Sequence, residues 1–312
     1  MSIETVDNEI RRTLSEPAAR QLANATKTHA QWGGITPRWL VSFLPWTPVE
    51  AGIYRLNRVK EEDAGESADV GCSPRNDEDL PETFVDYESA PREYSLNAVT
   101  TVLDVQTRVS DLYNHPIDQI QEQLRLLIEK VKEKQEFELI NNAEYGLLNN
   151  IAASQKIQTR KGSPTPDDLD ELITKVWKEP AFFLAHPKAI AAFGRECTRR
   201  GVPPPTASLF GSQFLTWRGL PLVPSDKLSI NAAGKTDILL LRTGEKKQGV
   251  TGLFQPGVPG EVAPSLSVRF MGINRKAIAS YLISLYCSAA VLTDDAIAVL
   301  ENVEVDNYHD YA

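Results

Sequence analysis

Seventeen consecutive residues, Ala277 to Thr293 (AIASYLISLYCSAAVLT), carry no charge, and they restrict the chain more than any other stretch. A run of that length sits at the lower limit for a helix that crosses a bilayer. Ser280, Ser284 and Ser288 fall four residues apart, as on one face of a helix, yet three hydroxyls weigh against a span. The odd positions Ala279, Tyr281, Ile283, Leu285, Cys287, Ala289 and Val291 make one largely apolar face, which is the period of a strand. A buried strand is the expectation, with a short membrane helix as the competing reading.

Such a strand needs a folded body around it. The chain has 312 residues, 42% of them hydrophobic, enough for one large or two modest domains. Lys and Arg number 33 against 42 Asp and Glu, a net charge of −9, so nucleic-acid phosphates and anionic membranes are repelled on average. No nucleic-acid partner and no membrane partner are expected. Cys72, Cys197 and Cys287 are few, odd in number and far apart, which fits a reducing compartment better than a disulfide framework. The opening MSIETVDNEIRRTL lacks the apolar stretch of a secretory signal, so the cytoplasm is the expected location.

Residues 1–34 are polar and broken at Gly33-Gly34, and read as an extended or partly helical arm. The next stretch, ITPRWLVSFLPWTPVEAGIYRLNRV, holds prolines at 37, 45 and 48 that forbid one continuous helix. Pro37 behind Thr36 as N-cap predicts a short helix from Arg38 to Leu44, stopped by Pro45. Trp39, Phe43, Leu44 and Trp46 then need cover, as a core edge or as a docking arm, since exposing them would cost several kcal/mol at roughly 25 cal/mol per Å². Alternation predicts strands over 51–59 and 92–105. Between them, residues 61–90 carry eleven acids and the single base Arg75, a local net charge of −10. The plain reading is a solvated acidic excursion, because the spacing matches no calcium loop.

Asn114-His115-Pro116 predicts the start of a helix of about thirty residues, roughly 45 Å long, with Asp118 near its positive end. Its charged middle, EKVKEKQEFE, reads as a solvated face with i,i+4 pairs, and Leu147 and Leu148 continue its apolar stripe. TPDDLDELITKVWKEP is a second helix, capped by Thr165 and apolar through Leu169, Leu172, Ile173, Val176 and Trp177, whose four acids complement its dipole. AFFLA predicts a buried strand leading into a helix that starts at His186-Pro187 and ends by Gly201. Short strands are expected at 220–223, 238–241, 249–254 and 265–272.

Catalytic motifs are missing from the sequence. Gly244 to Gly249 has the glycine frame of a phosphate loop, but Val250 and Thr251 stand where Lys and Ser/Thr are needed, so a hairpin turn is expected. His29, His115, His186 and His309 lie in separate contexts without zinc spacing, and there is no G-x-S-x-G elbow. No catalytic residue, cofactor or metal site is assigned, although separated carboxylates leave a cofactor-free acid/base enzyme open.

The order of elements, an α+β arrangement of polar arm, proline-broken aromatic segment, long acidic hairpin, spine helix, strand-helix domain and terminal strand pair, resembles the Hong Kong 97-type phage capsid fold. AARQLANATKTHAQ, ITPRWLVSFLPW and VEAGIYRLNRV are similar to family 2A encapsulins, bacterial shell proteins of that fold. YLISLYCSAAVLTDDAIAVLENV is similar to the paired strands that close their peripheral domain. The resemblance implies an N-terminal arm (1–50), an extended loop with flanking strands (51–105), a spine helix of the peripheral domain (106–160), a mainly axial domain (161–275), and peripheral strands with a tail (276–312).

It further implies a protein that partners itself in a closed icosahedral shell of sixty copies. Trp39, Phe43 and Trp46 would sit where the arm meets a neighbour. Arg199 and Arg200 fall near the axial tip, where five copies would gather around an opening and favour small anions. The competing reading is that both arginines only end a helix. The acidic stretch is too short to hold the cyclic-nucleotide-binding insertion of some family members, which implies a cysteine desulfurase as enclosed cargo. A prophage capsid protein is the alternative.

Overall fold

The computed structural model describes residues 13–24, 31–57, 59, 85–106 and 118–308. Most of the acidic stretch, Cys72, His29, His115 and His309 lie outside the described residues.

The uncharged run forms β14 (Ala279–Val291), the longest strand among the described residues. No described helix is long and apolar enough to cross a membrane. β14 pairs antiparallel with β4 (Asn97–Val105), β11 (Val250–Phe254) and β13 (Leu266–Ile273). β1 (Trp46–Pro48) adds parallel to β11, and β12 (Glu261–Ala263) adds to β13, completing a six-stranded sheet. The lack of charge follows from cover on both faces. Ile283 and Leu285 pack under α3 (Gln119–Asn141) with Val131, while Ala290 and Leu292 lie under Tyr54, Leu56, Tyr94 and Leu96 of a two-stranded ladder. That ladder pairs β2 (Ile53–Leu56) with β3 (Arg92–Ser95).

A seven-stranded sheet makes the other half, in the order β5 (Lys156–Gln158), β15 (Ile297–Glu304), β10 (Lys235–Leu241), β6 (Phe182–Ala185), β9 (Leu220–Pro224), β8 (Ser212–Trp217) and β7 (Thr206–Leu209). Its central strand β6 is buried at every residue, because α4 (Pro166–Lys175) and α5 (Pro187–Arg199) cover one face and the shared core the other. The expected capping is present: Thr165 and Asp168 form a reciprocal capping box, and His186 Nδ1 accepts from the Lys188 amide.

Several expectations need correction. β14 and β15 do not pair, because the connection 292–296 carries the chain from one sheet to the other. The spine helix has 23 residues, about 35 Å at 1.5 Å each, since the Asp118 carboxylate caps it from the Ile120 and Gln121 amides. Leu147 and Leu148 belong to a separate 3₁₀ turn, reached through Gly146, where a Cβ would lie 2.3 Å from the Asn142 carbonyl oxygen. Trp177 is 68% exposed rather than part of the buried stripe, because α4 ends at Lys175. The Gly244–Gly249 loop is not a hairpin between paired strands, since β10 and β11 belong to different sheets.

Arg242, 1% exposed, stands at that crossing. Its guanidinium donates to Asp295 Oδ1 (2.7 Å), Asp295 Oδ2 (3.2 Å) and Thr293 Oγ1 (2.8 Å), tying the passage after β10 to the passage after β14. The Arg242 hydrogen bonds hold the Asp295 carboxyl well below the usual carboxylate range against the effect of burial.

Candidate functional site

The segment 32–38 is fixed to α3 at two successive levels. Trp32 Nε1 donates to the Leu126 carbonyl of α3 at 2.8 Å. Two turns along α3, the Glu133 carboxylate gathers four donors: the Thr36 amide (2.9 Å), the Thr36 hydroxyl (2.9 Å to Oε2), Arg38 (3.2 Å) and Lys227 (2.9 Å). Arg38 also reaches Glu129 at 2.8 Å. Deeper still, Ser225 donates to Glu136 Oε1 at 2.8 Å, while Glu136 Oε2 has no hydrogen-bond partner among the described residues.

Electrostatics divides these acids. Burial pushes against ionisation at all three, but Lys227 and Thr36 hold Glu133, and Arg38 holds Glu129, below the ordinary glutamate range. At Glu136 burial wins and the carboxyl is raised. This overturns the reading of EKVKEKQEFE as a solvated face: Glu133 and Glu136 are buried. The signal was in the sequence, because Glu129, Glu133 and Glu136 at i, i+4 and i+7 share one helix side. Their partners Arg38 and Lys227 are too distant in sequence for spacing to reveal.

Thr36 is likewise not the N-cap of α2 (Trp39–Phe43), since its amide and hydroxyl are committed to Glu133. Arg38 takes the cap position with φ 51°, in the left-handed region. Pro45 does end the helix, and Leu44 is already extended.

Of the residues singled out from the sequence, Trp39 and Phe43 come together and Trp46 stands apart from them. Phe43 lies 4.9 Å from Phe210, 5.1 Å from Phe182 and 5.7 Å from Phe214, and Trp39 meets Phe214 edge-on at 5.1 Å. This nest joins the arm exit to the β7–β8 hairpin. Trp46 donates to the Val41 carbonyl at 3.0 Å and lies flat on Gly252, where a Cβ would come within 2.7 Å of the ring. All three side chains pack on the chain's own core. Arg199 and Arg200 converge on the buried Glu196 at 2.7 and 3.4 Å, and Arg200 also lies 3.6 Å from Asp167.

Between α2, α3 and the six-stranded sheet runs a groove of about 520 Å³ lined by Val41, Trp46, Phe254, Leu266, Leu285 and Tyr286. No three His, Cys, Asp or Glu side chains among the described residues are grouped to hold a metal.

Residues 54–307 match the family model of SrpI-like type 2A encapsulin shell proteins. A type 2A encapsulin shell protein from Synechococcus elongatus is 68% identical over 305 residues, covering 98% of each chain. Another, from Mycolicibacterium paratuberculosis, is 62% identical over 301 residues, 96% of this chain and 97% of its own. Among solved structures, a chain of the holo-SrpI encapsulin complex of S. elongatus matches with a TM-score of 0.83 at 66% identity, covering 96% of this chain and 99% of its own. Both curated relatives are named as shell proteins. The capsid of a gene transfer agent particle, at 14% identity and a TM-score of 0.60 over 88% of this chain and 94% of its own, shares the fold.

Proposed function

This chain belongs to the type 2A encapsulin shell proteins and forms a nanocompartment, and from that premise we propose that about sixty copies close into an icosahedral shell in the cytoplasm around a cysteine desulfurase. The observation that carries the proposal is the match over 96% of the chain to a subunit of a holo encapsulin complex. The absence of a nucleotide-binding insertion supports the desulfurase through the family resemblance, since only 35 residues separate β2 from β3. Catalysis belongs to the cargo, and the shell controls access to it.

Two features of the subunit support parts of this reading. The groove beside Trp46 offers an apolar seat for a flexible guest segment, of the kind that binds by burying a few side chains. Arg199 and Arg200, one at the last position of α5 and one at its C-cap, would ring an axial opening with guanidinium groups if five copies meet there.

Purified alone, the protein elutes as a megadalton particle by light scattering. A stable monomer at working concentration would overturn the reading. Co-expression with a cysteine desulfurase encoded beside it gives particles with pyridoxal absorbance and activity protected from added protease. Empty particles under those conditions reject that cargo and leave the shell intact. Arg199→Ala with Arg200→Ala changes the anion dependence of cargo turnover in closed particles, and an unchanged dependence assigns both arginines to the helix end.

A further inference from the structure

The groove between α2, α3 and the six-stranded sheet has settled walls and unmet polar groups. Most polar side chains that line it are engaged elsewhere. Trp46 Nε1 donates to the Val41 carbonyl (3.0 Å), the Ser42 hydroxyl donates to the Arg38 carbonyl (3.4 Å), and Arg38 and Lys132 share Glu129. Ser265, held at φ 66°, accepts from the Gln255 amide (3.0 Å) and donates to the Tyr286 carbonyl. Two polar ends remain. The Gln135 carboxamide and the Tyr286 hydroxyl line the groove without a hydrogen-bond partner among the described residues. Gln135 is only 8% exposed, and a side-chain amide buried to that degree is ordinarily paired.

The unmet groups define what fits. A carboxamide offers both donors and an acceptor, the complement of a peptide unit, which offers one of each. A long-chain carboxylate would cover the apolar floor of Trp46, Leu266 and Leu285, but it has no donor for the Gln135 oxygen. Charge narrows the choice further. Arg38 and Lys132 line the groove, while Glu129, their shared partner at 2.8 and 3.4 Å, does not. No aspartate or glutamate lines it among the described residues. The groove thus presents cations and amide groups over an apolar floor, a surface complementary to an extended chain with apolar residues on one side and a carboxylate on the other.

We infer that the groove takes an extended, acidic and apolar segment of the guest, with a main-chain amide held by Gln135 and a carboxylate set against Arg38 and Lys132. This rests on the shell reading of the previous subsection and gives the chemistry of the seat named there.

The test co-expresses the full chain with a fluorescent protein that ends in a short tail of alternating leucine and glutamate, or of alternating leucine and lysine. Fluorescence per particle is read after protease treatment, above the level of the untailed protein. The glutamate tail loads about threefold better than the lysine tail, the scale of a partly exposed charge pair. Gln135→Leu, which keeps the bulk and removes the amide, lowers loading of the glutamate tail by about fivefold. Lys132→Glu reverses the order of the two tails, an inversion that a misfolded subunit would not produce. Equal loading of both tails, no loading of either, or unchanged loading in Gln135→Leu overturns the inference. So does tailed protein that binds particles yet stays open to protease, which would put the groove on the outside. Failure of the wild-type chain to form particles without any guest removes the shell reading instead.

Discussion

The centre of the seven-stranded sheet is closed within one chain, and the end of β13 in the six-stranded sheet is not. In the first, β6 is buried at every residue and helices close the face that the shared core leaves open. In the second, the end of β13 leaves Phe270, Met271 and Ile273 in the open. A protein that buries the centre of one sheet completely and leaves large apolar residues at the end of a strand in another has separated two tasks: folding, which one copy completes, and assembly, which needs neighbours.

The separation can be broken from the finished side first. Phe183→Ala, in the middle of β6, removes a fully buried ring and costs about 3–5 kcal/mol of subunit stability, read as a lowered unfolding midpoint in denaturant before any question of particles arises. Ile273→Ser should do the reverse, leaving the subunit within about 0.5 kcal/mol while shifting the population from particles towards free subunits. If Ile273→Ser lowers the midpoint as much as Phe183→Ala, the two sheets do not divide the work.

Glu133→Ala lies between these extremes. It leaves Lys227 half-paired and Thr36 without its acceptor, a loss of about 3 kcal/mol for a broken buried pair, and protease should then cut near residues 31–36 while the seven-stranded sheet resists. Deleting residues 1–34 should weaken assembly more than the subunit fold, as seen by comparing sedimentation with thermal unfolding.

The smallest effect expected is on pH. Glu136, raised by burial, favours the folded state when protonated, so its contribution is full at low pH and is lost as pH rises through its folded value. Glu129 and Glu133, lowered by their cations, contribute above the ordinary glutamate range and lose it as pH falls through their folded values. Protection of the arm exit should therefore rise slightly on mild acidification and collapse below the ordinary glutamate range. Glu136→Gln should remove the rise and spare the collapse, and a monotonic profile in the wild-type chain would show that Glu136 does not titrate in this window.

What could be read from the sequence follows the same division. AFFLA, the Thr165 cap and the His186-Pro187 start were legible because each is set by neighbours a few residues away. The uncharged run was recognisable as a strand, but its cover on both faces comes from α3 and the β2–β3 ladder, and spacing cannot report that. The arm anchor was misread for a related reason. A glutamate such as Glu133 looks solvated until Arg38 and Lys227 arrive from 95 residues before it and 94 after it. Trp39 and Phe43 were picked out as needing cover, while Phe210 and Phe214, which supply it, belong to a hairpin neither of whose strands any pattern announced.

Arg242 sets a length scale far beyond its own bonds. Two of the passages between the sheets, 242–249 and 292–296, meet at its guanidinium, so it pins the junction of the two sheets. Whatever angle the pin holds is repeated by every copy around a closed surface, and a tilt of a few degrees becomes a change of radius. Arg242→Lys, which keeps the charge but loses the fork, would show this as a broadened distribution of particle diameters in electron micrographs, and a single unchanged diameter would confine Arg242 to holding one subunit together. A broadened distribution would place the control of the container's curvature at a point buried inside the subunit, where Arg242 is 1% exposed.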